Sequence, residues 1–144
     1  MSMSLFAPIP PTDGWLREGA RRALTEAERG FWTALERAAV ARAQWSTART
    51  VAAMDRPKGL SFIDVDRDLS DAERRRIEHR LSRFRQALRL AAEAWFAFYT
   101  EAYPELPKGS VDLTDYHDRL LTDRSTEITQ TVTARISRAR RTAR

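Results

Sequence analysis

Residues 70–104, SDAERRRIEHRLSRFRQALRLAAEAWFAFYTEAYP, contain the start and the end of one long helix. Ser70 followed three residues later by Glu73 is a capping-box pattern, which marks where a helix begins, and Pro104 marks where it must end. Between them the apolar positions alternate steps of four and three residues, as in a coiled coil or a long bundle helix. These positions are Ile77, Leu81, Phe84, Leu88, Ala91, Trp95, Phe98 and Ala102. The stretch therefore predicts a helix of about 33 residues.

The second half of this helix, ALRLAAEAWFAFY (residues 87–99), is apolar on nearly every side, so we expect it to be the most buried part of the protein. Glu93 lies within it, and because a lone buried carboxylate is costly we expect an arginine or tyrosine partner. The aromatic residues lie on or beside helical seams, so we expect them to pack in the core rather than to stack on bases. They are Trp32, Trp45, Trp95, Phe96, Phe98, Tyr99 and Tyr103.

Upstream of residue 70, small and apolar residues recur at steps of three and four and so form a line, or seam, along one face of a helix. This seam predicts a first helix of about 40 residues. Its members are Leu16, Ala20, Ala23, Ala27, Phe31, Ala34, Ala38, Ala41, Trp45, Ala48 and Ala52. Gly30 and the capping pattern from Thr25 to Glu28 indicate a break or kink near residue 25. Before this helix, residues 1–12 contain three prolines and are predicted to form an extended arm whose Leu5, Phe6 and Ile9 seek a groove.

A third helix is expected to start between Ser110 and Asp115 and to run towards the C-terminus. Its inward positions are Leu113, His117, Leu121, Ile128, Val132, Ile136 and Ala139. The β-branched stretch TEITQTVT (residues 126–133) leaves an edge strand open as an alternative. The predicted fold is all-α, an elongated up-down-up bundle of three long helices, with residues 13–144 as a single domain after the arm.

Composition and spacing argue against an active site or a metal site. The chain has no cysteine and no apolar run long enough to span a membrane, so we expect a cytoplasmic protein. The stretch DVDRD (residues 64–68) alternates aspartates as a calcium loop does, but Leu69 and Arg75 replace the required glycine and glutamate. His117 has aspartates nearby but no nucleophile to complete a site. We expect a protein that is not an enzyme and that needs no cofactor.

The basic residues are concentrated in particular segments. Of 25 basic residues 23 are arginine, which reflects a GC-rich genome in part, so their positions are more informative than their number. Residues 37–92 and 133–144, which an up-down-up bundle brings to one pole, carry 18 basic and 7 acidic residues. The rest of the chain carries 7 basic and 13 acidic residues. The sequence therefore predicts a dipolar molecule with one strongly basic pole.

A basic pole of this kind attracts a phosphate backbone with little demand for base sequence, so RNA or single-stranded DNA is the predicted partner. The alternative is that the arginines of this pole form only a basic surface in contact with water and bind no partner. The candidate phosphate-binding residues are Arg42, Arg49, Arg56, Arg74, Arg75, Arg76, Arg80, Arg83, Arg135, Arg138 and Arg141.

The small size, the helicity and the arginine patches RRRIEHRLSRFR (residues 74–85) and RISRARR (residues 135–141) resemble the small helical subunit of class 1 CRISPR effector complexes. The resemblance implies a subunit present in several copies, stacked head to tail in a ribonucleoprotein with arginines facing nucleic acid. An acidic pole that meets the basic pole of the next copy suits such stacking independently. The alternative function is a structural or adaptor protein, such as a phage virion component, whose charged poles join protein to protein.

Overall fold

A computed structural model describes residues 25–54, 69–104 and 112–143. These ranges form three helices, with the bounds α1 Glu26–Met54, α2 Asp71–Ala102 and α3 Asp115–Thr142. Helix accounts for 91% of the described residues and no strand occurs among them, which confirms the all-α prediction for this part of the chain. The stretch TEITQTVT lies inside α3, so the edge-strand alternative is wrong.

Each helix starts at a residue whose side chain caps the backbone. At α2 the Ser70 hydroxyl accepts the N–H of Glu73 at 3.2 Å, and the Glu73 carboxylate accepts the N–H of Ser70 at 3.1 Å, which confirms the predicted capping box. At α1 the N–H of Glu28 donates to the Thr25 hydroxyl at 3.1 Å, so this helix begins at the pattern that predicted a break. Thr114 caps α3 in the same way.

Replacing Ser70 by alanine should lower the free energy of unfolding by about 1 kcal/mol, because the first turn of α2 loses the acceptor for an N–H group. Urea denaturation followed by circular dichroism measures the change. The matched control is Ser82→Ala, at an exposed position inside the same helix, which should keep or slightly raise stability. Equal effects of the two substitutions would contradict a capping role for Ser70.

Contacts along the helices define their directions. Phe31 contacts Trp95 near one end of α1, and Ala52 clusters with Ile77 near the other, so α1 and α2 run antiparallel. Phe31 also contacts His117, and further along Arg42 bonds to Ser125, so α3 runs in the same direction as α1. The order is up-down-up, with α1 packed against both other helices. Little direct contact joins α2 to α3.

The main core lies where all three helices meet. Phe31, Leu35 and Ala38 of α1, Ala91 and Trp95 of α2, and Leu121 of α3 are buried there. A smaller cluster, formed by Ala52 and Ile77 with Trp45 and Ala48 against them, continues along α1 and α2. Between the two, the Trp45 and Phe84 rings stack at 6.2 Å. The apolar positions of α2 that alternate steps of four and three are therefore the ones that pack against α1 over most of the length of α2.

Part of the burial prediction is wrong. Leu90 keeps 49% and Phe96 keeps 37% of its surface exposed, and Glu93 is exposed too, although we expected this segment to be the most buried part of the protein. Because α3 stays close to α1, nothing among the described residues covers the outer side of α2. Glu93 therefore faces water and needs no buried partner, and Ala102 is exposed as well.

On α1 the buried face is wider than the predicted seam. Trp32, Leu35, Ala39 and Ala43 are buried beside it, because α1 packs against two helices rather than one. The proposed arm at residues 1–12, the start of the first helix before Thr25, and the DVDRD loop lie outside the described residues.

Candidate nucleic-acid interface

The arginines of α2 fall on its solvent side. Arg74, Arg75, Arg76 and Arg83 are exposed, and none of them forms an ion pair with another described residue. Arg80 is half-buried and donates to the Gln44 side chain of α1 at 3.4 Å. The first half of α2 therefore presents a surface of charged groups that remain available to an anion.

Two of the α1 candidates are engaged within the protein. Arg42 is half-buried and donates to the Ser125 hydroxyl of α3 at 3.2 Å. Arg49 is also half-buried and lies 5.6 Å from the centre of the Trp45 ring, a cation–π geometry. The structure thus engages both side chains in contacts within the bundle. Arg56 lies outside the described residues.

The α3 candidates lie in the last third of that helix. Arg135, Arg138 and Arg141 are exposed, as is Arg140. Arg135 comes three and seven residues after Val132 and Ile128, so it continues their face of the helix by one more turn. This end of α3 lies at the same pole as the start of α2.

The charge separation survives in the folded region. The basic half, defined as the described residues in 37–54, 69–92 and 133–143, carries 14 arginines and three acidic residues. The acidic half, the described residues in 25–36, 93–104 and 112–132, carries three arginines and ten acidic residues. Because α1 and α3 run opposite to α2, these segments form two opposite ends of one bundle, as predicted.

An open, largely apolar groove of about 480 Å³ lies mostly in the basic half, with α1 as its floor and α2 as one wall, while its α3 wall comes from the last residues of the acidic half. The floor carries Val40, Thr47 and Val51, and the α3 wall carries Ile128 and Val132. The α2 wall carries Glu73, Arg76, Ile77 and Arg80. A groove forms because α2 and α3 each follow α1 but make little contact with one another.

Sequence reasoning missed this groove. A signal was present, since Val40, Gln44, Thr47 and Val51 repeat at steps of four and three beside the alanine seam of α1. Taken alone, that pattern only widens the apolar face of one helix. Whether a neighbouring helix covers such a face depends on the position of α3, which α1 does not encode.

His117 lies at the centre of the main core and is fully buried. Its Nδ1 accepts the backbone N–H of Thr114 at 3.1 Å, which places the ring proton on Nε2. Nε2 is buried without a hydrogen-bond partner among the described residues, and the ring lies 4.4 Å from Trp95 and 4.9 Å from Phe31, centre to centre. Burial lowers the pKa of His117 from 6.5 to about 4. The predicted inward position is confirmed, and the ring serves as a cap and a core residue.

Within the three described ranges, no cluster of three or more histidine, aspartate or glutamate side chains is arranged to hold a metal ion. None of the described helices has a segment long and apolar enough to cross a lipid bilayer. The chain matches no protein-family model, no curated protein and no solved structure in the three comparisons made.

Proposed function

We propose that this chain is a non-catalytic, cytoplasmic subunit of a ribonucleoprotein assembly that binds a nucleic-acid backbone without regard to sequence. The resemblance to the small helical subunit of class 1 CRISPR effector complexes belongs to this proposal. The observation that carries it is the excess of 14 arginines over three acidic residues in the basic half.

The exposure of these arginines supports binding to phosphates. Arg74, Arg76 and Arg83 lack ion-pair partners among the described residues, so an incoming phosphate does not have to displace a carboxylate. Guanidinium groups bind phosphate oxygens in pairs and hold their charge at every physiological pH. They stand on a helix anchored by the Trp45 and Phe84 stack, so the charges are displayed on a rigid support.

The side chains of the basic half favour contact with the backbone of a nucleic acid over contact with its bases. The large aromatic rings of the basic half, Trp45 and Phe84, stack on each other and are half-buried, so they offer no free platform for bases. Binding through about six phosphates would lose on the order of 10³ in affinity between low and moderate salt. Sequence specificity in such an assembly would come from its other components.

Reversing two exposed charges tests the proposal. The variant Arg76→Glu/Arg83→Glu should weaken binding to a labelled single-stranded RNA on the order of 10²-fold, because each arginine contributes a charged hydrogen bond. The salt dependence of log K should also become shallower by about two units. Fluorescence anisotropy across a salt series, on nuclease-treated protein, measures both quantities. Arg80 is left in place because it bonds to Gln44.

The matched control is Arg29→Glu/Arg119→Glu, which makes the same charge change at two exposed positions of the acidic half. It should bind RNA nearly as tightly as the wild type. An equal loss in both variants would show a general effect of net charge and would contradict a phosphate site on α2. Wild-type protein that binds neither RNA nor duplex DNA at low salt would overturn the proposed function and leave the structural or adaptor alternative.

A further inference from the structure

The groove of the basic half has a shape and a charge that define what it can accept. It is open to solvent and largely apolar, and its α2 wall carries two arginines, Arg76 and Arg80, against one carboxylate, Glu73. Its floor runs along α1 from Val40 to Ala52, which is about 18 Å at 1.5 Å per residue. A complementary occupant is a helix of about three turns that carries apolar side chains together with carboxylates.

The outer side of α2 carries such a surface from Leu90 onwards, mostly within the acidic half. Leu90, Glu93, Ala97 and Glu101 follow one another at steps of three, four and four, so they form one stripe along the helix. All four are exposed, and Phe96 lies exposed beside them. Neither glutamate forms an ion pair with a described residue. We call this surface the α2 stripe.

The groove and the α2 stripe match in three respects. The stripe spans about 17 Å from Leu90 to Glu101, close to the length of the groove floor. Its apolar members, Leu90 and Ala97, suit the valines and isoleucines of the groove, and its glutamates suit the groove arginines. Arg135, exposed on α3 three residues after Val132, lies just beyond the groove lining on the opposite side.

The two surfaces lie at opposite ends of the molecule, so the stripe does not reach its own groove. We propose that the groove of one copy binds the α2 stripe of a second copy, with the acidic half of one molecule lying along the basic half of the next. The contact joins two different surfaces and leaves one of each free, so it propagates head to tail. This inference rests on the assembly part of the proposed function and does not depend on nucleic-acid binding.

Sedimentation of nuclease-treated, full-length protein over a concentration series tests the contact. At low salt the average mass should rise above the 16.5 kDa of the monomer as concentration increases. It should fall back at high salt, because screening weakens the pairing of glutamate with arginine. Two single substitutions should each abolish the rise: Thr47→Glu, which puts a carboxylate into the groove, and Leu90→Arg, which puts a cation into the stripe.

A mixture of the two variants gives the sharpest result. Each retains one intact surface, so the Leu90→Arg groove should bind the Thr47→Glu stripe and growth should stop at a 1:1 pair. The control Ser82→Arg adds the same charge at an exposed α2 position outside the stripe and should associate as the wild type does. Because Leu90→Arg keeps every candidate phosphate-binding arginine, it should still bind RNA, so failures of self-association and of nucleic-acid binding can be told apart.

Three outcomes would overturn the inference. The wild type could stay at 16.5 kDa at every concentration. The mixture could remain monomeric although each variant folds, as judged by circular dichroism. Thr47→Glu could leave the average mass unchanged while it lowers the melting temperature, which would mean that another segment of the same chain occupies the groove.

Discussion

Replacing Phe31 by alanine should destabilise the protein by about 3 to 5 kcal/mol, the range for removing a large aromatic side chain from a well-packed core. Phe31 is fully buried, and its ring centre lies 4.7 Å from that of Trp32, 5.1 Å from Trp95 and 4.9 Å from His117. These three partners come from α1, α2 and α3, so no single helix can close the space left behind. Thermal and urea unfolding measure the loss.

The control for Phe31→Ala is Phe96→Ala, which removes the same atoms from a position where 37% of the side chain is exposed. At concentrations low enough for a monomer, it should cost clearly less than the buried substitution. Comparable losses at the two sites would contradict the assignment of Phe31 to the centre of the core.

Lowering the pH from 6.5 to 4 should cost the fold about 3 kcal/mol through His117 alone. The folded pKa of His117 is about 4, against 6.5 for an exposed histidine, because burial disfavours the charged ring. In this window the unfolded chain binds a proton at His117 and the folded chain does not. Stability is therefore retained above pH 6.5 and is lost as the pH falls towards 4. Urea unfolding at a series of pH values measures the slope.

His117→Gln isolates this contribution. Glutamine is a common residue at the third position of a capping box, so it can still accept the Thr114 N–H, but it does not titrate. The variant should start from a lower stability and show a smaller loss between pH 6.5 and 4. His79→Gln, which removes the exposed second histidine, should keep the wild-type slope. Equal slopes in the wild type and His117→Gln would contradict the assignment.

Asp118 acts in the opposite sense, at the lower end of this pH range. Partial desolvation, and then repulsion from the Asp115 carboxylate, raise the pKa of Asp118 above 3.8. Protonation of Asp118 as the pH falls therefore relieves an unfavourable charge in the folded state, which offsets a part of the His117 effect. Since the Asp118 side chain is exposed, the His117 contribution should dominate the measured slope.

The helices were predictable because their signals are local. The α2 capping box joins Ser70 and Glu73 within one turn, and Pro104 stops the helix through its own ring. The position of His117 on an inward seam was also readable from spacing. The effect of His117 on the pH dependence of stability could not be predicted in this way. The lowered pKa results from burial against Phe31 and Trp95, which lie far from His117 in the sequence.

For the candidate interface, the sequence alone determined where the charges lie along the chain and, through the alternating helix directions, that they gather at one end. Only the tertiary structure decided which arginines remain available, since Arg42 and Arg49 turn to Ser125 and Trp45 while Arg76 and Arg83 do not. It also decided that a groove opens beside α1 and that Leu90 and Glu93 face water. The physical reason is that hydrogen bonds within a helix depend on neighbours a few residues away, whereas the covering of each face depends on where other helices lie.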